Sequence, residues 1–597
     1  MPGRIAGLPA APGIAVGPVW RYRPRGAGAI PVVAVASRGE AELRIRGAAA
    51  ASATQLQALA ARLRDLGRGG DAEILEAQAL MAIDPAIVDE AVRLARGGMP
   101  PVEAVLEAAE SSAKVLDALP DALLAARAGD VRDVAVRVTR TMSGAQLELP
   151  AAPSIVVADD LPPSLLAEFP PGLLLGVALA GGSPTAHVAI LARSLGVPAV
   201  VAAAGLLEAV RGSHAIAIDG ESGEITADPG PGELQELADR QALRGSRDRA
   251  AAALRGTPAA TADGRRVPLL ANIRSPEDAL RALEAGAEGV GLFRTEYLFL
   301  RRQAAPSESE QTTEYRRAME VFGRERPVVI RLADIGGDKS IPYLGRPEEP
   351  NPFLGVRAIR LAHESRELLL TQLRAIWLAA GEAGVTPHVM APMVATLADA
   401  RLLTGLRDEA RREVVASGAD CPERMVTGVM IEVPSAAILA PELARLVDFF
   451  SIGTNDLTQY VLAADRGNPS LARFQDALHP AVLRTIAAVV AGADGAGIPV
   501  AVCGELAGDP AGAMVLVGLG VDELSADAGS LDAIRACLAG FDDAELRALA
   551  ARALAATDAE TVRAYANELL DAKRWGARRP ANRGRANSGR EESARSG

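Results

Sequence analysis

In the C-terminal half of this 597-residue chain, eight short apolar runs recur at 267–273, 289–294, 328–334, 388–393, 428–432, 449–453, 499–503 and 522–525. The intervals between them carry helical patterns. Parallel strands need long crossovers, and helices usually supply them. Eight such units in succession predict a (β/α)8 barrel, which carries its chemistry at the C-terminal ends of its strands.

Those ends are rich in charge. The second run closes on Phe293-Arg294-Thr295-Glu296 and the third on Arg331-Leu332-Ala333-Asp334, with Gly336-Gly337-Asp338-Lys339 beyond. The fifth ends at Glu432, the sixth runs into Thr454-Asn455-Asp456, and the seventh gives Cys503-Gly504-Glu505. Ion pairing that knits the rim explains any one of these, but it explains the whole set poorly. Arg294, Arg331 and Arg466 have the planar forks that suit phosphate and carboxylate oxygens. Glu432 and Asp456 are hard oxygen ligands of the kind Mg2+ uses with substrate and water. Asn455 can donate to a phosphate. Cys503 is either a proton donor or an inert buried thiol.

The N-terminal half is built differently. Strand signals near residues 5–17 and again from 153 to 226 alternate with helices, which indicates a compact α/β unit. Between them, from about 40 to 143, the periodicity is helical. Leu56, Leu59, Leu63 and Leu66 form one apolar stripe, and Ile74, Ala77, Leu80 and Met81 form another. Four helices in an inserted bundle are expected, with both stripes in its core. Within the α/β unit, Gly181-Gly182-Ser183-Pro184-Thr185-Ala186-His187 leads into an apolar helix. A helix start gathers unpaired N–H groups and welcomes an anion. His187 is thus a candidate phosphoryl-accepting nucleophile, a capping or core histidine being the alternative. A charged helical linker follows near 233–254, and an Arg/Gly/Asn/Ser-rich stretch lies beyond about 570.

A net charge of -12 and only 3% aromatic residues argue against nucleic-acid binding. No apolar run is long enough to span a bilayer, and Met1-Pro2-Gly3-Arg4-Ile5 lacks a signal-peptide core. Three cysteines without metal-type spacing point to reduced thiols. The expectation is a cytoplasmic protein with no membrane insertion.

The motifs Gly291-Leu292-Phe293-Arg294-Thr295-Glu296, Asp334-Ile335-Gly336-Gly337-Asp338-Lys339, Asn351-Pro352-Phe353-Leu354-Gly355, Gly453-Thr454-Asn455-Asp456 and Cys503-Gly504-Glu505-Leu506-Ala507-Gly508 resemble those of enzyme I of the bacterial phosphoenolpyruvate-dependent sugar phosphotransferase system. Asp130-Val131-Arg132-Asp133 matches in the helical stretch as well. The resemblance implies a multidomain α/β protein. Residues 1–25 and 145–228 would form a swivelling phosphohistidine α/β domain. Residues 26–144 would be a helical insert that docks the histidine-containing phosphocarrier protein (HPr), and 229–262 a linker helix. Residues 263–570 would be a barrel that binds phosphoenolpyruvate and pairs as a homodimer, followed by a disordered basic tail at 571–597.

It further implies that His187 is phosphorylated on Nε2, that Arg294, Arg331, Asn455, Asp456 and Arg466 bind phosphoenolpyruvate, and that Arg357 lies near its phosphate. Glu432 and Asp456 would bind Mg2+, and Cys503 would protonate the enolate to give pyruvate. Glu73 and Glu76 are assigned to the docking face. Two departures stand out. The loop before His187 has an additional residue and Ala186 in place of serine. Pro162 stands where the family often has a threonine that bonds the active histidine. The rival readings are a phosphoenolpyruvate synthase or pyruvate phosphate dikinase, although no Gly-x-x-x-x-Gly-Lys loop precedes His187, and a catalytically weakened regulatory relative.

Overall fold

The computed structural model describes residues 3–22, 38–65, 69–118, 122–145, 149–183, 187–300, 302, 304–337, 341–345, 349–466 and 468–573. The chain divides into two compact units between Ala242 and Leu243.

The first unit is built on a mixed sheet. Its strands are β1 (Arg4–Ala6), β2 (Leu8–Ala11), β3 (Ile14–Arg21), β4 (Ser154–Ala158), β5 (Leu174–Leu179), β6 (Ala199–Val201), β7 (Ala215–Asp219) and β8 (Glu224–Ala227). Their spatial order is β1-β8-β7-β3-β4-β5-β6-β2. The central strands β3 to β6 run parallel, and β7–β8 is an antiparallel hairpin. β3 and β4 lie side by side, with Trp20 opposite Val156, although the helical stretch separates them in sequence. That stretch is therefore an excursion from one crossover of the sheet.

Among its described residues the excursion has five helices, where four were expected: α1 (Arg38–Asp65), α2 (Gly69–Ala82), α3 (Pro85–Arg96), α4 (Pro101–Asp117) and α5 (Ala122–Ser143). Asp84 and Pro85 make the extra break. The Asp84 side chain accepts the N–H of Ala86, and Pro85 occupies the first helical position. Leu56 and Leu63 are buried as expected, whereas Leu66 lies outside the described residues. The stripe assigned to α2 is not the core face. Leu80 is 67% exposed, while Leu75, Gln78, Ala79 and Ala82 are buried. A polar residue turns the helix: the Gln78 amide donates to Asp130 at 3.1 Å and to Asp133 at 3.2 Å on α5. Short helices α6 (Pro163–Glu168), α7 (His187–Leu195) and α8 (Leu206–Ala209) follow, then the long α9 (Pro231–Ala252).

The second unit is the barrel. All eight apolar runs become strands: β9 (Leu269–Ile273), β10 (Val290–Arg294), β11 (Val328–Arg331), β12 (His388–Ala391), β13 (Val426–Ile431), β14 (Phe449–Ile452), β15 (Val500–Val502) and β16 (Glu523–Ala526). They close in sequence order, with β16 pairing back onto β9. Capping boxes at Ser307/Glu310, Thr396/Asp399 and Asp542/Glu545 start three of the outer helices. The barrel lumen is filled, with Leu292, Val329, Met390, Met430, Phe449 and Cys503 packed together. No helix among the described residues is long and apolar enough to cross a membrane.

Candidate active site

The C-terminal rim of the barrel gathers the charged strand ends into one buried network. Arg331, the last residue of β11, donates from Nη2 to Glu296 at 2.7 Å, and Asp334 lies 3.8 Å away. Arg357 has no exposed surface. Its fork grips Asp334 through Nε at 2.9 Å and Nη2 at 2.5 Å, and its Nη1 faces Asp456 at 3.7 Å. Arg466 Nη1 donates to the other Asp456 oxygen at 3.3 Å, and its guanidinium stacks over Phe353 at 5.2 Å. Arg294, at the end of β10, makes no hydrogen bond or ion pair with a described residue and retains partial exposure. Its fork is available to a ligand.

The loops that hold this rim depend on close backbone approach. Gly336 and Gly337 take left-handed φ of 88° and 61°. A Cβ on either would lie within 2.5 Å of the carbonyl of Val356 or Pro352. The closeness lets Gly336 bridge to Arg357. Met393 also holds a left-handed φ of 59° while its N–H donates to Glu432 Oε1 at 2.7 Å. Strain of this kind persists only where the surroundings enforce it.

Burial, with Asp456 and Asp334 close by, pushes the Glu432 carboxyl well above the usual carboxylate range, against the pull of Arg331 and Arg357. Asp456 Oδ1 is buried without a hydrogen bond. Two hard oxygen donors are thus held at adjacent strand ends with negative charge incompletely met, a donor set that fits Mg2+. Among the described residues no three His, Cys, Asp or Glu side chains cage a metal unaided.

Cys503 follows β15 and is 2% exposed. Ser451 Oγ donates to its sulfur at 3.2 Å. Burial raises the thiol, opposed by the Ser451 bond and by Arg331 and Arg294 nearby; the sulfur is protonated at neutral pH. Asn455 pairs reciprocally with Glu505: its Nδ2 donates to Glu505 Oε1 and its Oδ1 accepts Glu505 N–H, both at 3.1 Å. That pairing ties the end of β14 to the end of β15. Two supporting residues, Asn272 and Gln372, carry no sign in the sequence. Asn272 donates to the Cys503 carbonyl at 3.1 Å and accepts from Ser525 at 2.7 Å. Gln372 donates to Thr295 and Tyr315, each at 3.0 Å. No local pattern links residues so far apart in sequence.

In the first unit, His187 is the first residue of α7. Residues Pro184, Thr185 and Ala186, and the His187 side chain, lie outside the described structure. The approach to them is fixed by backbone bonds: Gly181 N–H donates to Asp159 O at 2.9 Å and accepts from Ala202 N–H at 2.8 Å. Gly182 follows with φ of 84°. At the other end of α7, Arg193 clamps the Ala10 carbonyl. Pro162 precedes α6 and supplies no side-chain cap. Glu76 pairs with Arg64 across α1 and α2, and the Glu73 side chain is not among those described.

Three family profiles match along the chain: the PEP-utilising enzyme N-terminal domain over residues 6–127, the mobile domain over 150–223 and the PEP-binding domain over 248–542. A phosphoenolpyruvate-protein phosphotransferase from Streptomyces coelicolor is 43% identical over 524 residues, spanning 86% of this chain and 91% of that protein. The chain belongs to the PEP-utilising enzyme family. Two multiphosphoryl transfer proteins are also similar. That of Rhodobacter capsulatus is 44% identical over 484 residues, covering 80% of this chain and 57% of the relative. That of Xanthomonas campestris pv. campestris is 42% identical over 581 residues, covering 96% and 67%. The chain thus spans only part of those longer members. The PEP-binding profile covers the barrel rim described above, and the mobile profile covers His187.

Proposed function

We propose that this family member is a phosphoenolpyruvate-protein phosphotransferase that passes the phosphoryl group through His187 to the histidine of a phosphocarrier of the HPr type. The observation that carries the reading is the convergence of Arg294, Arg331, Arg466, Asn455 and Cys503 on one barrel rim. Arg294 and Arg331 bind the phosphate and carboxylate of phosphoenolpyruvate, and Arg466 and Asn455 contribute further donors. Arg357 acts beside them through Asp334 and Asp456. Glu432 and Asp456 would hold Mg2+, which neutralises substrate charge when bound.

His187 Nε2 attacks phosphorus, and the bond from phosphorus to the enol oxygen breaks. The electron pair stays on the oxygen as pyruvate enolate. Cys503 Sγ–H then delivers its proton to the methylene carbon, giving pyruvate. Transfer requires the His187 segment to visit the rim and then a carrier docked on the helical excursion. We assign residues 1–25 and 145–228 to the mobile part, 26–144 to docking, 229–262 to the linker, and 263–570 to substrate binding and homodimerisation. The 571–597 segment is read as a basic tail.

The test is incubation with labelled phosphoenolpyruvate and Mg2+, comparing wild type with His187→Ala. Acid-labile, base-stable label is expected in the wild type alone; label that survives the substitution overturns the assignment. Labelling that requires ATP identifies a dikinase-like enzyme instead.

A further inference from the structure

Outside the barrel, the first unit carries a groove of about 670 Å³ between α1 and α5. Among its lining residues are Gln55, Arg62, Arg137, Arg140, Thr141 and Glu168. Three guanidinium groups thus face one carboxylate. Glu168 already serves two of them: Arg140 donates to its Oε1 at 2.8 Å, and Arg137 pairs with the same oxygen. Arg62 makes no hydrogen bond or ion pair with a described residue.

The neutral polar groups of the groove also offer donors. Gln55, in the lining, uses its oxygen to accept from Arg137 at 3.4 Å, which leaves its NH2 able to donate. Thr141 Oγ1 accepts from Ser52 at 3.1 Å, which leaves its hydroxyl proton to donate. Arg137 is the built element: its side chain is 4% exposed, and its Nε has no hydrogen-bond partner. Although Glu168 meets its charge, this buried guanidinium keeps one donor without a partner, which a ligand oxygen would satisfy.

We propose that this groove is a binding site for a phosphate group carried on a small free anion. The exposed Arg62 and the part-buried Arg140 offer guanidinium forks, the Thr141 hydroxyl and Gln55 amide add donors, and the Arg137 Nε adds another from behind. A tetrahedral oxyanion with several acceptor oxygens matches a lining of this kind; guanidinium forks and hydroxyls are its usual partners. The site is separate from the barrel rim and does not rest on the phosphotransfer reading.

The experiment is calorimetric titration of the full chain with inorganic phosphate, with chloride as the control for general charge screening. Wild type is expected to bind one phosphate in the groove, besides any bound at the barrel rim. Arg62→Glu should weaken the groove event at least tenfold, whereas Arg294→Ala, at the barrel rim and without a described partner to leave unpaired, should leave it intact. Leu59→Trp, which puts a bulky ring into the groove lining without changing charge, should weaken the same event and guards against a folding artefact of the charge reversal. The proposal is overturned if Arg62→Glu and Leu59→Trp both leave phosphate binding unchanged, or if Arg294→Ala alone removes all binding. It is equally overturned if chloride reproduces the heat.

Discussion

Gly504 offers a test of how tightly the rim is assembled. It follows Cys503 and passes under the first turn of the helix Thr454–Leu462. A Cβ built there lies 1.9 Å from Thr454 Oγ1 and 2.7 Å from Thr454 N. Its backbone, φ −78° and ψ 174°, suits any residue, so Gly504→Ala isolates the contact from conformational strain. The Thr454 hydroxyl can rotate away, but the backbone nitrogen cannot. To reach the 3.4 Å at which ordinary contact begins, the nitrogen must retreat by 3.4 − 2.7 = 0.7 Å. Asn455 and Asp456 move with it, away from Cys503. Overpacking of this order costs about 1–3 kcal/mol. A misplacement of about 1 Å at a reacting centre costs roughly a hundredfold in rate, so turnover should fall about 10- to 100-fold. The assay couples pyruvate release to its reduction at saturating phosphoenolpyruvate, with a urea midpoint measured in parallel. Gly529→Ala, where the new Cβ meets nothing within 4 Å, is the control and should change neither. Turnover of Gly504→Ala within twofold of wild type refutes the reasoning.

Other outcomes follow from the same geometry. Cys503→Ala should slow pyruvate release strongly while leaving phosphoenolpyruvate binding within a few-fold of wild type; normal turnover removes the thiol from the mechanism. Arg331→Met leaves Glu296 and its buried neighbours without their cation and should lower barrel stability by about 3–5 kcal/mol, read from urea unfolding, and an unchanged midpoint contradicts the network. Charge reversal at Glu73 and Glu76 together should weaken phosphocarrier binding in a titration, and equal affinity rules those residues out of the docking face. Asp133 predicts a pH effect. Burial pushes it up to about 6 from 3.8, against the bond from Ser164 and the charge of Arg137. A raised acid favours the folded state when protonated, so stability from this group is greatest below about pH 4 and declines as pH rises to about 6. Two pH units at about 1.4 kcal/mol each bound the loss at about 3 kcal/mol. Asp133→Asn should flatten this part of the stability curve between pH 4 and 7; a variant with the wild-type slope assigns the effect elsewhere.

The barrel was legible because its signal is local. Each strand is a short apolar run, and each rim residue sits at or just beyond the end of one, so Arg294, Arg331, Glu432, Asp456 and Cys503 could be aligned by counting. His187 at the start of α7 was legible for the same reason: glycines before an apolar helix are a local sign. What escaped was polar contact between elements far apart in sequence. Gln78 reads as a surface residue in the sequence of α2, yet Asp130 and Asp133 draw it inward and rotate Leu80 outward. Glu76 reads as a free docking charge, yet Arg64 engages it. Apolar burial alone would have put the stripe of Ile74, Ala77, Leu80 and Met81 inside. A buried amide that donates to two carboxylates overrides it, because two bonds to charged groups at about 1.5–3 kcal/mol each outweigh the burial of one leucine at about 1.5–3 kcal/mol.

The same logic distinguishes the rim from an ordinary ion-paired barrel top. A rim built for stability alone would have its charges fully matched. Here Asp334 is gripped by Arg357, but Arg294 faces no described partner, Asp456 Oδ1 and Arg331 Nε lack hydrogen bonds, and Glu432 is driven toward its neutral form by burial. These groups are of both cationic and anionic kinds, and they lie at the strand ends of one barrel. A substrate anion can satisfy the first kind and a divalent cation the second. Binding both together should therefore raise the barrel's unfolding temperature by more than the sum of the two separate effects. Strict additivity of the two shifts, measured with a non-reacting phosphoenolpyruvate analogue and Mg2+, would mean that the charges at the rim are coupled to each other and not to ligands.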